Sequence, residues 1–300
     1  MQLIYQIIYH PFFNRILLFI NRSLSWATKF RLPPSGTFQI NLSNGTKFKL
    51  STNQTSYVTK LLYWNGASSF EYTPIFERLA KKIDSFVDIG ANIGYYSILA
   101  ASVNPKISVH SFEPAKGPAH YLRKNININQ FGKKIKAHDI ALSDKENEVA
   151  FYEVQNAKYH YPMHNLGGVG SLKKESNSKR TSTMVKTLPL DSFVEREGIQ
   201  KIDLIKIDTE GTEYLILNGA NQTIEQFKPI IICETLFQRI EKELEHIMKL
   251  HGYEFFNHVN QKLFRVKTLA READNGVRDC FFVHPERFHL IQDFVANRFA

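Results

Sequence analysis

From residue 84 onward the chain repeats one pattern: a short apolar run, then a longer stretch with apolar residues every three or four positions. The short runs predict strands at 85–89, 107–112, 135–140, 202–207, 229–233, 253–256 and 279–283. The longer stretches predict helices at about 93–103, 115–129, 189–197, 212–226 and 238–251. Alternation of this kind builds an α/β fold with a mostly parallel, doubly wound sheet, and such sheets bind ligands at the carboxyl ends of their strands. Two more strands, expected near 148–155 and 182–188, bracket a polar segment at 156–181 that is long enough to act as a lid loop.

Before residue 84 the pattern differs. "FQINLSNGTKFKL" alternates apolar and polar on both sides of Asn44-Gly45, which predicts a β-hairpin, and a lead-in helix follows at 72–82. The chain therefore divides into 1–83, an N-terminal helix, hairpin and lead-in helix, and 84–300, the main domain with its lid loop. The opening "MQLIYQIIYHPFFNRILLFINRSLSWATKFRLPP" is rich in apolar residues, but His10, Pro11, Asn14 and Arg15 interrupt it before any run reaches the ~18 residues of a membrane span. It also lacks the basic start and cleavage pattern of a secretory signal. An amphipathic helix at 12–30 is expected. It either packs on the body or on a second subunit of a homo-oligomer, or rests on a membrane with Arg15, Arg22, Lys29 and Arg31 towards headgroups.

Composition sets limits on this picture. Three hundred residues, 43% hydrophobic, bury a full core. The net charge of +9 raises the question of polyanions, but Lys and Arg are scattered apart from "KKESNSKR" at 173–180, so no nucleic-acid partner is expected. Cys233 and Cys280 are too few for a zinc ligand set or a disulfide framework, which fits a cytoplasmic protein, at the inner face of the membrane if the helix docks there.

"SFVDIGANIGYYSILAA" reads as a buried strand, a glycine turn and a helix. Its spacing, Asp88-x-Gly90-x-Asn92-x-Gly94, is not the G-x-G-x-x-G that seats a pyrophosphate. A carboxylate there would repel phosphates and suits a cationic group. "HSFEP" then ends the second strand with Glu113, placed to accept hydrogen bonds from ribose hydroxyls. A ligand with a ribose and a cationic amino-acid tail meets both demands, and S-adenosylmethionine is such a ligand.

"KIDLIKIDTEGTEYLILNGA" gathers Lys206, Asp208, Glu210 and Glu213 at the end of the fourth strand. Methyl transfer to a hydroxyl requires alignment of the reacting atoms and a base for the proton. Asp208 and Glu210 are the candidate bases, and Lys206, on the same side of the strand as Asp208, pairs with it or orients substrate. Glu213 is read as a solvated first-turn acid that complements the helix dipole. His160 and His164 have metal-pair spacing, but Pro162 between them argues against a helix.

"FVDIGANIGYYS", "FEP", "ALSD", "DLIKIDTEGTEYLILNGA" and "PIIICE", in this order, resemble the FkbM family of S-adenosylmethionine-dependent methyltransferases over about residues 84–257. The resemblance implies a Rossmann-like class I methyltransferase fold with a seven-stranded sheet and helices on both faces. It also implies methyl transfer to a hydroxyl of a saccharide, glycolipid or secondary metabolite. Asp88, Gly90, Ala91, Asn92 and Gly94 match the cofactor turn, Glu113 the ribose acid, and Asp139 and Ala141 the neighbours of the adenine. By analogy with magnesium-dependent methyltransferases, Asp208 and Glu234 could hold Mg²⁺ with water, but Thr235 stands where those enzymes place a further ligand, so magnesium stays open. Two other readings remain. Nucleic-acid methylation has against it the lack of a D/N-P-P-Y/F or Pro-Cys motif, and the alternative is a non-catalytic domain that binds cofactor or membrane.

Overall fold

The computed structural model describes residues 2–24, 30–154, 158–159, 162–167, 170–172 and 180–296. In chain order the first elements are α1 (Gln2–Ile8), α2 (Pro11–Ser23), β1 (Gly36–Asn41), β2 (Lys47–Thr52), α3 (Tyr57–Asn65) and α4 (Thr73–Ala80). The alternating region follows: β3 (Ser85–Ile89), α5 (Tyr95–Val103), β4 (Ser108–Phe112), α6 (Lys116–Ile128) and β5 (Ile135–His138). Next come β6 (Ala141–Leu142), β7 (Asn147–Val154), β8 (Gly170–Ser171), β9 (Arg180–Leu188), α7 (Leu190–Glu197) and β10 (Leu204–Ile207). The last are α8 (Glu213–Asn218), α9 (Asn221–Phe227), β11 (Ile230–Glu234), α10 (Glu241–Leu250), β12 (Glu254–Val259), β13 (Lys262–Val266), β14 (Asp279–Val283) and β15 (Val295–Ala296).

Among the described residues the main sheet has nine strands in the order β5-β4-β3-β10-β11-β14-β12-β13-β15. β5, β4, β3, β10 and β11 run parallel, and β14 inserts antiparallel between β11 and β12. After β3 the chain builds outward through β4 and β5, then returns to place β10 on the other side of β3. The crevice over these two strands is thus the topological switch point. The seven expected strands are all present, and β13 and β15 extend the edge beyond them. β13 escapes the sequence pattern because Asn260 and Gln261, at φ 48° and 61°, make a hairpin turn usually flagged by Asn-Gly.

Two helix expectations change. The stretch 212–226 breaks into α8 and α9 at Gly219, whose backbone lies so close to Ser143 that a Cβ there would sit 2.2 Å from the Ser143 carbonyl oxygen. The N-terminal helix becomes two, α1 and α2, meeting at 75°, and residues 25–29 of the expected span lie outside the described ones. The hairpin turns at Asn44-Gly45 as its sequence predicts, and β7 pairs with β9 at the base of the lid segment.

α5 is buried on all sides, with the sheet beneath it and the hairpin and α4 above. Phe48, Leu50, Phe76 and Leu79 share one apolar cluster with Phe86, Leu99 and Val109, so the change of pattern at residue 84 does not separate two cores. The opposite sheet face packs Val87, Ile205, Leu217 and Leu244 in a second cluster. Cys233 and Cys280 are register partners on β11 and β14, both buried free thiols.

One buried amide ties the hairpin to the glycine turn. Asn125 on α6 accepts from the Ser51 N–H at 2.6 Å and donates to the Ile93 carbonyl at 2.9 Å. Asn125→Ala strands both backbone groups in the core, and should cost about 1–3 kcal/mol in urea unfolding. A loss below about 0.5 kcal/mol would show that the hairpin is held independently of this bond.

Candidate active site

A cavity of about 440 Å³ opens over the carboxyl ends of β3, β4, β10 and β11. The glycine turn supplies one part of its wall. The Gly90 and Ala91 N–H groups both donate to the Phe112 carbonyl at 3.0 Å, which carries the turn across the end of β4. Gly90 stands at φ 71°, and a Cβ there would lie 2.0 Å from the Asp208 carbonyl oxygen, so glycine is required for β3 and β10 to come this close. Asn92, at φ 51°, is of a type that tolerates this conformation, and its N–H donates to Glu113 Oε2 at 2.8 Å. The Ala115 N–H donates to Glu113 Oε1 at 2.9 Å. Burial pushes the Glu113 carboxyl up to about 7, against the pull of these two N–H groups.

The acids form the second part of the wall. Glu71, Asp208, Glu210 and Glu234 all line the cavity, and carboxylate oxygens of the last three lie within 4.8 Å of one another. Behind them the buried Lys206 ammonium is 3.1 Å from Asp208 Oδ2 and 3.9 Å from Asp88 Oδ1. Burial disfavours that ammonium, but the charges of Asp208, Asp88 and Glu71 outweigh it and raise its pKa. Burial, then the charges of Asp208 and Glu210, push Glu234 up to about 10, so it is neutral at pH 7. Glu71 is raised to about 7 by burial of its carboxyl group and the charge of Asp208, although the residue as a whole is exposed. The Tyr96 hydroxyl donates to it at 2.7 Å.

Of the residues expected at the cofactor, Gly90, Asn92, Glu113 and Ala141 line the cavity, and three others stand behind it. Strand alternation sends Asp88 to the α5 side, where it is buried and Ser97 Oγ donates to it at 2.5 Å, so it stands beneath the turn and behind the cavity wall. Ala91 is buried within the turn, and Gly94, at φ 85°, caps α5 against Leu122. Asp139 faces outward, paired with Arg123 at 2.5 Å, and Ile140, Ala141 and Leu142 hold the place beside the cavity.

Glu213 is not solvated. It is buried, and its Oε1 accepts the N–H groups of Thr209 at 2.9 Å and Gly211 at 3.1 Å, closing the loop that carries Asp208 and Glu210. The described part of the 156–181 loop supplies Asn165, Leu166, Gly167, Gly170 and Leu172 to the cavity. It is tied down by the Leu166 N–H on Thr55 Oγ1 at 2.7 Å and by Asn53 Nδ2 on the His164 carbonyl at 2.8 Å. His164 stacks on His120, while His160, Gly168 and residues 173–179 of the basic cluster lie outside the described residues. Glu71 is the acid the motifs do not flag. It precedes α4, and only tertiary folding brings it to Asp208.

Lys206→Met leaves the buried Asp88 without its cation. The expected loss is roughly 3–5 kcal/mol at pH 8. Burial already raises the Asp88 pKa, and a group raised in the folded state stabilises below its unfolded pKa and loses that contribution as pH rises. The deficit should therefore shrink towards pH 5. Denaturant titrations at both pH values check this; an equal loss at both would reject the ion-pair account.

The Methyltransferase FkbM domain family matches residues 88–269, more than half of the chain. The chain is similar to methyltransferase sdnD of Sordaria araneosa, 25% identical over 189 residues, 56% of this chain and 73% of that protein. It is also similar to 31-O-demethyl-FK506 methyltransferase FkbM of Streptomyces tacrolimicus, 27% identical over 155 residues, 45% of this chain and 59% of that one. A third relative is 2-O-methyltransferase NoeI of Sinorhizobium fredii, 25% identical over 154 residues, 49% of this chain and 61% of that one. The chain thus spans less than two thirds of the last two proteins. With β3 and its glycine turn meeting the acid-bearing end of β10 across the switch point, and the family match covering both, the chain belongs to the FkbM methyltransferase family.

Proposed function

We propose that the chain is an S-adenosylmethionine-dependent O-methyltransferase acting on a hydroxyl of a saccharide, glycolipid or secondary metabolite. The observation that carries this reading is one cavity lined by both the Gly90–Asn92 turn with Glu113 and the acids of β10 and β11. The names of two relatives, a 31-O-demethyl-FK506 methyltransferase and a 2-O-methyltransferase, support oxygen as the acceptor atom.

The wall fits the cofactor in its polar chemistry. Glu113 keeps a lone pair on each oxygen beyond the N–H bonds it accepts, suited to a vicinal diol. Among the described residues Asn92 Oδ1, buried at the wall, has no hydrogen-bond partner, and it is an acceptor that suits a donor on a ligand. When bound, S-adenosylmethionine supplies a methyl group on a sulfonium. The protein must then hold the acceptor oxygen in line and take its proton.

Asp208 is the base. Its side chain is half exposed to the cavity while Lys206 fixes Oδ2 at 3.1 Å, which orients the carboxylate without enclosing it. Asp208 would take the proton of the acceptor hydroxyl. Glu210 stands beside it at φ 58°, and neutral Glu234 can donate a hydrogen bond to the acceptor. Deprotonation of Glu71 adds a negative charge to the cavity wall near Asp208, which favours transfer of the acceptor's proton to the protein.

S-adenosylhomocysteine should raise the melting temperature of the wild type and of Asp208→Asn alike, while Asp208→Asn lowers turnover by about 10²–10⁴-fold. Turnover unaffected by that substitution would remove Asp208 from the chemistry. Chelator should leave turnover unchanged; a loss restored by Mg²⁺ would transfer the role of Asp208, Glu210 and Glu234 to holding metal. In the wild type, turnover should climb as pH passes about 7, where Glu71 ionises, and Glu71→Gln should flatten that rise. An unaltered pH profile in Glu71→Gln would contradict the coupling.

A further inference from the structure

We propose that the helix pair α1–α2 docks this protein on an anionic lipid bilayer. α2 meets the body along a narrow stripe. Asn14 and Leu18 are buried, the Ser35 N–H donates to Asn14 Oδ1 at 2.9 Å, and Asn14 Nδ2 reaches the Ile8 carbonyl at 3.4 Å across the bend. α1 buries none of its residues. The rest of the apolar surface faces out: Leu3 is 70% exposed, Phe12 63% and Phe19 73%, with Ile4, Ile16 and Ile20 close to half exposed or more. On α2, residues 12, 16, 19 and 20 share one helical face opposite Asn14 and Leu18, and this face is left uncovered.

Charge identifies the occupant. Residues 1–70 contain seven Lys and Arg and not one Asp or Glu. Arg15 and Arg22, seven residues apart and both exposed, lie along one flank of the outward apolar face, where an interfacial helix meets headgroups. A second copy on this face would set arginine against arginine with no acid in these segments to answer it, whereas anionic headgroups neutralise them. No single described helix is long and apolar enough to cross a membrane, and the thirteen residues of α2 reach only about 20 Å against a core of about 30 Å. Together the two helices are long and apolar enough for a broken span, but their 75° bend and the arginines flanking the outward face favour a place in the interface.

The docked face is connected to the cavity. The Tyr9 and Tyr159 hydroxyls are 3.0 Å apart, and the Tyr5 ring packs edge-on against Tyr159, at the start of the loop whose residues 165–167 line the cavity. A bilayer under α1–α2 therefore lies beside the lid. That an amphiphilic acceptor enters from the membrane rests on the methyl-transfer reading; the docking itself does not.

Co-sedimentation of the full chain with vesicles of phosphatidylcholine and phosphatidylglycerol, against phosphatidylcholine alone, tests the docking without any turnover. Binding should be about tenfold or more stronger to the anionic vesicles and should weaken with salt. Phe12→Ser with Phe19→Ser should abolish it, and Arg15→Gln with Arg22→Gln should weaken it on anionic vesicles only; unchanged circular-dichroism melting verifies that both variants fold. The proposal is overturned by failure to bind anionic vesicles at low salt, or by equal binding of the Phe12→Ser, Phe19→Ser variant. It is equally overturned by a dimer in sedimentation velocity that this variant dissolves, since a second copy would then cover the face.

Discussion

One buried ammonium holds the two halves of the site together. Lys206 projects from β10 between Asp88, beneath the glycine turn of β3, and Asp208, at the cavity. The two strands are neighbours, and Gly90 lets their ends approach until its Cα stands against the Asp208 carbonyl. Replacing the lysine by an apolar residue would leave two carboxylates facing each other in a region of low polarisability, where like charges are costly. Orientation of Asp208 and retention of a charged Asp88 beneath the turn both depend on this one cation.

The crowding of acids becomes intelligible in the same terms. Asp208, Glu210, Glu234, Glu71 and the enclosed Asp279 cannot all ionise beside one lysine. Burial and mutual repulsion push Glu234 up to about 10 and Glu71 to about 7, and raise Asp279 as well. The result is a wall that mixes charged acceptors with neutral carboxyl donors, an environment suited to gripping a hydroxyl and removing its proton. Glu213, which reads from sequence as one more solvated acid, is spent on the backbone of the 208–213 loop and so fixes where Asp208 and Glu210 stand.

The periodicity of the chain carried most of the architecture, because the central strands β3, β10 and β11 are apolar runs buried along nearly their whole length. It missed β13, whose turn lacks glycine, and the break at Gly219, which depends on contact with Ser143. Motif spacing brought Gly90, Asn92, Glu113, Ala141 and the β10 acids to one cavity. Spacing alone did not show that Asp88 shares its strand face with Phe86, under α5 and behind the cavity wall. Asp139 illustrates a different limit: one residue's difference in a short loop decides between the cavity and an ion pair with Arg123. Glu71 was illegible because nothing local distinguishes an acid that only tertiary folding brings to the same cavity as Asp208, 137 positions later.

A crystal structure of the chain with S-adenosylhomocysteine tests whether turn and acids form one methyl-transfer site. The ribose hydroxyls are expected on Glu113, the adenine beside Ala141 and Leu142, and the sulfur turned towards the carboxylate of Asp208. A nucleoside bound outside this cavity, or a sulfur directed away from Asp208, would contradict a single site.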